Sequence, residues 1–211
     1  MTSLPILIFG VSWSNEQRWE ENMDGLDLLT ADHNRVRGLF ARFREAKKRD
    51  DTSEMGALAE QIFAELEVHT TIEEQVFYPA IHDVNEELAE VVDEGVQEHH
   101  VVDLLMEEAR ALQPGDAEWV AKLSVLIENV EHHAEEEEDE LFPQVRSATD
   151  AATRRAWGQR FETMKTERGA PSPGQAAELT TRELRQRATE QQIPGRSNMT
   201  REDLAATVDP R

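Results

Sequence analysis

Two segments of the chain obey one pattern, H-x-x-x-E-E-x-x-[FL]-[YF]-P: His69 to Pro79 and His133 to Pro143, offset by 64 residues. Ahead of each lies an acidic residue followed by a histidine, in Asp32-His33-x-x-Val36 and Glu98-His99-x-x-Val102, offset by 66 residues. A repeat of this length is one supersecondary unit used twice, so the first half of the fold recurs in the second.

Apolar residues recur every three or four positions from about Leu26 onward, which is the helical period. A first helix is expected from Asp24 to Arg49, with Leu29, Val36, Phe40 and Phe43 on one face. Asp50 to Ser53 breaks it and caps a second helix, which runs to Tyr78 and stops near Pro79. A third runs from Asn85 to Leu112 and is closed by Pro114-Gly115; a fourth starts with Asp116 as its cap and runs toward Pro143. Helices of this length span about 40 Å. Short loops make consecutive helices antiparallel, which predicts an all-α fold, an up-down-up-down four-helix bundle. A further helix is expected from Asp150 to Arg168, and Gly169 to Gly174 reads as a linker.

The repeat places polar groups where the apolar stripe assigns the interior. On the second helix His69 and Glu73 continue the line of Leu58, Ile62 and Leu66. On the fourth, His133 and Glu137 continue that of Trp119, Leu123, Leu126 and Val130. His33 on the first helix and His99 on the third point inward by the same count, although Val101, Leu104 and Leu105 widen the stripe of the third. An uncompensated carboxylate in such an interior costs several kcal/mol. Two carboxylates and four imidazoles there call for a cation. At i and i+4 the side chains of His and Glu stand one turn apart, with Cβ atoms about 5–6 Å from each other. Each pair therefore reaches one ion, and the six groups suit two ions sharing carboxylates. The chain has no cysteine, which removes thiolate metal sites, iron–sulfur clusters and disulfides. Imidazole with carboxylate suits iron, manganese or zinc.

The charge excludes other classes. Of 211 residues, 44 are acidic and 22 basic, for a net charge of -22. Residues 1–150 hold 11 basic and 36 acidic side chains, whereas residues 151–211 hold 11 and 8. An acidic bundle is a poor partner for nucleic acid or an anionic membrane. The apolar run Leu4 to Val11 is eight residues long and has no Lys or Arg before it, so it reads as neither signal peptide nor membrane anchor. A cytoplasmic protein without membrane contact is expected.

The order H, HxxxE, H, HxxxE over four helices, with the trailing Phe77-Tyr78-Pro79 and Leu141-Phe142-Pro143, resembles the hemerythrin-like HHE cation-binding family over residues 23–147. The ferritin-like alternative uses Glu-x-x-His, the reverse order and a different spacing. The resemblance implies two non-haem iron ions with an oxo or hydroxo bridge, held by His33, His69, Glu73, His99, His133 and Glu137, the two glutamates bridging. Oxygen-carrying hemerythrins have a further histidine one turn after the third-helix histidine, where this chain has Asp103. The departure favours redox turnover of O2, H2O2 or NO, by a peroxide- or nitric-oxide-consuming oxidoreductase, over reversible oxygen carriage. The alternative is an oxygen or iron sensor signalling through its C-terminal part.

Other polar residues read more plainly. His100 and His132 each adjoin a better-placed histidine; His132 starts a pair with Glu136 that falls off the apolar line. His82 belongs to the connection after Pro79. Glu74 and Glu138 repeat as supporting or exposed residues, and Tyr78, the single tyrosine, reads first as packing.

Past the linker, Thr180 and Glu183 form a capping box before a short helix, and Thr200 with Asp203 caps another. The stretch from Glu183 to Val208 resembles the helix–extension–helix motif at the N-terminus of Rho termination factors, similar to SAP modules. That resemblance permits nucleic-acid contact through Arg182, Arg185, Arg196 and Arg201, or protein docking. Residues 180–211 hold six basic and five acidic side chains, a weak electrostatic footprint. The expected organisation is a segment 1–22 of unassigned role, a bundle over 23–147, a helix and linker over 148–178, and the module 179–211.

Overall fold

The computed structural model of the chain describes residues 24–171, Ala176 and residues 179–209. The expected segment 1–22 and residues 172–174 of the expected linker lie outside the described residues. The helices are α1 (Gly25–Lys48), α2 (Thr52–Ile72), α3 (Tyr78–His82), α4 (Glu86–Arg110), α5 (Ala117–Glu136), α6 (Phe142–Ala148), α7 (Ala151–Glu167), α8 (Thr181–Glu190) and α9 (Arg201–Thr207). No strand occurs among the described residues, and none of their helices is long and apolar enough to cross a membrane.

Local chemistry sets most boundaries. Asp24 accepts a hydrogen bond from the Leu26 amide and Asp51 from that of Glu54, each at 3.0 Å. Asn85 and Asp150 cap α4 and α7 in the same way. These caps satisfy amides that a helix start leaves unpaired. Both capping boxes of the C-terminal part are formed.

The ends of the second and fourth helices differ from the sequence expectation. Pro79 and Pro143 do not stop them. A π-helical turn, Glu73–Phe77 after α2 and Glu137–Leu141 after α5, carries the chain into α3 and α6. There the amide of Tyr78 bonds to the Glu73 carbonyl and that of Phe142 to the Glu137 carbonyl. Proline has no amide hydrogen to offer, and after a widened turn it sits in the opening turn of a new helix, where a donor is dispensable. The extra residue also rotates the stripe, so Phe77 is buried and Val76 only half-buried. On α4 the stripe is narrower than expected, with Val101 and Leu104 exposed and Gly95 buried.

Two apolar cores result. One joins Val36, Phe40, Phe43, Leu58, Ile62, Leu66, Val102, Trp119 and Leu123 from α1, α2, α4 and α5. The other joins Leu26, Leu29, Phe77, Leu88, Val92, Leu141, Phe142 and, from α7, Phe161 and Met164. Each fully buried Leu or Phe contributes about 1.5–3 kcal/mol relative to exposure. His33, His69, His99 and His133 fall between the two sets along their helices, so the polar layer is walled by hydrocarbon at both ends.

A third small core, around Leu184, Ile193, Leu204 and Val208, holds the C-terminal part together. It packs on α1. A side chain at Gly38 would meet the Gln191 carbonyl oxygen at 2.7 Å, and Arg35 donates to the carbonyls of Ala206 and Thr207.

Candidate metal centre

All six residues singled out in the sequence are buried and meet in one place. His33 Nε2 and His69 Nε2 stand 3.1 Å apart, as do His99 Nε2 and His133 Nε2. Glu73 lies between the pairs, with Oε1 3.2 Å from His69 Nε2 and Oε2 3.3 Å from His99 Nε2. Glu137 Oε2 lies 3.3 Å from His33 Nε2 and 3.9 Å from His133 Nε2. The donor atoms of His33, His69, Glu73 and Glu137 could hold one metal ion, and those of Glu73, His99 and His133 another, all within 4.8 Å of one another in each group.

The donor chemistry fits a cation. Glu73 Oε1, Glu73 Oε2 and Glu137 Oε2 are buried and accept no hydrogen bond. Buried carboxylate oxygens are rarely left so. The Nε2 atoms also face one another in pairs, an arrangement that needs a proton or a cation between them.

What fixes the rings lies one layer out, and it repeats as the sequence does. Glu138 accepts from His33 Nδ1 at 2.7 Å, Glu74 from His99 Nδ1 at 3.0 Å and Glu98 from His133 Nδ1 at 2.7 Å. A proton held at Nδ1 leaves Nε2 free to donate its lone pair inward. The fourth equivalent is weaker: Asp32 Oδ2 is 3.8 Å from His69 Nδ1. Asp32 is one methylene shorter than Glu98 and is held by Arg35 and Lys165, which both hydrogen-bond its Oδ1.

The charges shift accordingly. Burial acts to raise the Asp32 pKa, but Lys165 and Arg35 together hold it far below the usual carboxylate range. Burial acts to lower that of His69, but the Glu73 and Asp32 carboxylates outweigh it and push it up to about 10. His33 and His99 are likewise raised against their own burial, by Glu137 with Glu138 and by Glu73 with Glu74.

Tyr78, expected mainly to pack, takes a polar part. Its ring stacks on His99, and its hydroxyl donates to Glu137 Oε1 at 2.9 Å and lies 3.4 Å from His133 Nε2. Burial and then Glu137 push its pKa well above the ordinary value. The signal available in the sequence was its place in the repeat, opposite Phe142, which stacks on His33. His100, His132 and Asp103 are exposed, and His82 lies at the end of α3, away from the cluster.

Residues 24–145 match the hemerythrin family, described as the Hemerythrin HHE cation binding domain. The chain belongs to that family. A protein of Nostoc sp. named DNA nickase is 26% identical to this HHE chain over 159 residues, which is 74% of the chain and 43% of the relative. The HHE chain thus spans less than half the length of that relative. No solved structure matches it significantly.

Proposed function

We propose that the chain is a non-haem di-iron protein that reacts with O2, peroxide or nitric oxide. The observation that carries this reading is the sharing of Glu73 between two histidine pairs, with three carboxylate oxygens left without partners. His33, His69 and Glu137 would hold one iron, His99 and His133 the other, and Glu73 both. A bound pair of iron ions supplies one-electron redox chemistry toward a small oxidant.

The chain itself supplies shape, orientation and protons. A cavity of about 20 Å3 borders the four histidines and Val36, Leu66, Val102 and Val130. It accommodates about one water-sized molecule, a size that suits a diatomic gas or peroxide. Glu138, Glu74 and Glu98 hold their imidazoles in one tautomer. The Tyr78 hydroxyl holds a proton at Glu137 Oε1, beside the shared donors.

The name of the Nostoc relative raises a second reading, metal-dependent cleavage of DNA. A phosphodiester is larger than the cavity that borders the four histidines, and the acidic bundle repels it. The C-terminal module, docked on α1, is on this proposal a protein contact or a relay of metal state rather than a groove reader. Metal analysis after anaerobic iron loading, followed by air, tests the iron reading. Sustained consumption of peroxide or nitric oxide marks an oxidoreductase, and a stoichiometric, reversible spectral change marks a sensor. Nicking of supercoiled plasmid, lost in Glu73→Ala, would instead establish the second reading.

A further inference from the structure

The two halves of the polar layer are reached differently. By the repeat offsets, Leu28, Leu29 and Asp32 on α1 match Glu94, Gly95 and Glu98 on α4, and Val68, Ile72 and Val76 match His132, Glu136 and Glu140. On the first side Leu28, Leu29 and Ile72 are buried, and α7 lies over them through Phe161 and Met164. Lys165 on the same helix places its ammonium on Asp32. That side is closed, and its carboxylate carries a cation built into the chain.

On the second side Gly95 has no side chain, and one placed there would meet the Tyr78 hydroxyl at 3.0 Å. A cavity of about 60 Å3 opens here, walled by Glu94, Glu98, Glu136 and Glu140 and reaching Glu137. A water needs roughly 10–15 Å3 of such space, so a hydrated cation can enter it in part. Among the described residues none of these four wall carboxylates pairs with Lys or Arg. At the rim His132 Nε2 stands 3.4 Å from Glu136 Oε1, and donor atoms of Glu98, His132 and Glu136 lie within 4.8 Å of one another. At the inner end, Glu137 Oε2 is buried and accepts no hydrogen bond.

We propose that Glu98, His132 and Glu136 form an outer divalent-cation site, and that the cavity beside Gly95 is the route by which metal reaches the buried donors. The proposal rests on the metal reading of the inner centre. The outer site supplies at Glu98 what Lys165 supplies at Asp32. Glu98 stands between the two sites: its Oε2 accepts from His133 Nδ1, and the cavity it lines reaches Glu137 of the inner centre. Such clustering of carboxylates at an opening concentrates cations and raises their rate of arrival.

The test is stopped-flow loading of metal-free full-length chain with Fe(II) under anaerobic conditions. The His132→Ala/Glu136→Gln variant should load about ten-fold more slowly, the low end of electrostatic focusing, and reach the same final metal content. His82→Ala, which removes a histidine that does not line the cavity, should load at the wild-type rate. A second measurement reads the site directly: in Glu73→Ala/Glu137→Ala, Mn(II) paramagnetic resonance should show one weakly held ion that His132→Ala removes. Wild-type loading rates in His132→Ala/Glu136→Gln, or no His132-dependent Mn(II), overturn the outer site. A wild-type chain that takes up no iron, with the His132-dependent Mn(II) still present, overturns the inner centre alone.

Discussion

The half of the bundle built from α1 and α2 and the half built from α4 and α5 present the same donors in the same order, yet their surroundings diverge at the acidic residue before each lone histidine, at the aromatic residue before each proline and in what covers them. Asp32 is buried under α7 with Lys165 and Arg35, whereas its counterpart Glu98 is half-buried and faces an acidic opening. Phe142 stacks on His33, and Tyr78, its counterpart, stacks on His99 and reaches Glu137. The repeat therefore keeps the proposed metal donors, while the residues beside them differ in burial, charge and hydroxyl contacts. On the proposed reading, the half under α7 is the closed one and the half beside Gly95 is the one that admits small species.

The largest effect should come from the one residue the halves share. Glu73→Ala should abolish binding of both ions, read as metal per chain, whereas His132→Ala should retain the inner pair at equilibrium. Next in size is the closed half's own cation. Lys165→Met leaves Asp32 buried with Arg35 as its remaining partner; a buried charge left with none costs about 3–5 kcal/mol, which is the upper bound here. Chemical denaturation should show a loss below that bound, with a still smaller loss for Glu98→Gln, whose site is open to water.

The metal-free chain should also show the asymmetry in its pH response. The pKa of His69 is raised in the fold to about 10 from an ordinary 6.5. Its protonation therefore stabilises the metal-free fold fully below about pH 6.5, and that stabilisation fades as pH rises toward 10. Melting temperature of the metal-free chain should fall across this window. Iron-loaded chain, in which the metal replaces the proton, should not follow, and loading should release protons.

A smaller change makes the open half resemble the closed one. Gly95→Ala introduces a Cβ 3.0 Å from the Tyr78 hydroxyl and 3.4 Å from His133 Cε1. The gain of about 1 kcal/mol in helix propensity is offset by crowding, so stability should change little while iron loading slows. Tyr78→Phe, the residue of the matched position, should be the mildest in its effect on iron loading. Loss of one hydrogen bond costs about 1 kcal/mol, and the change should appear chiefly in the rate of reaction with peroxide rather than in metal content.

The buried cluster of four histidines and two glutamates was readable in advance because polar residues sat on an apolar line and did so twice. Helix starts were readable because Asp24, Asp51, Asn85 and Asp150 stand where unpaired amides need them. The π turns were not. A count at 3.6 residues per turn carries no mark of one extra residue, and Pro79 and Pro143 look like stops when the wider turn that tolerates them is unknown. Lys165 escaped notice for a different reason: a lysine on a polar helix reads as solvent-facing until a buried carboxylate 133 positions away claims it. The opening beside Gly95 is likewise a property of two helices and Tyr78 together.

Iron stoichiometry after anaerobic loading and removal of loosely held metal tests the shared centre most directly. Two irons per chain in the wild type, with a near-ultraviolet absorption after air exposure that Glu73→Ala lacks, is the result expected. Fewer than one iron per chain in the wild type, or equal retention in Glu73→Ala, would contradict a centre built on Glu73.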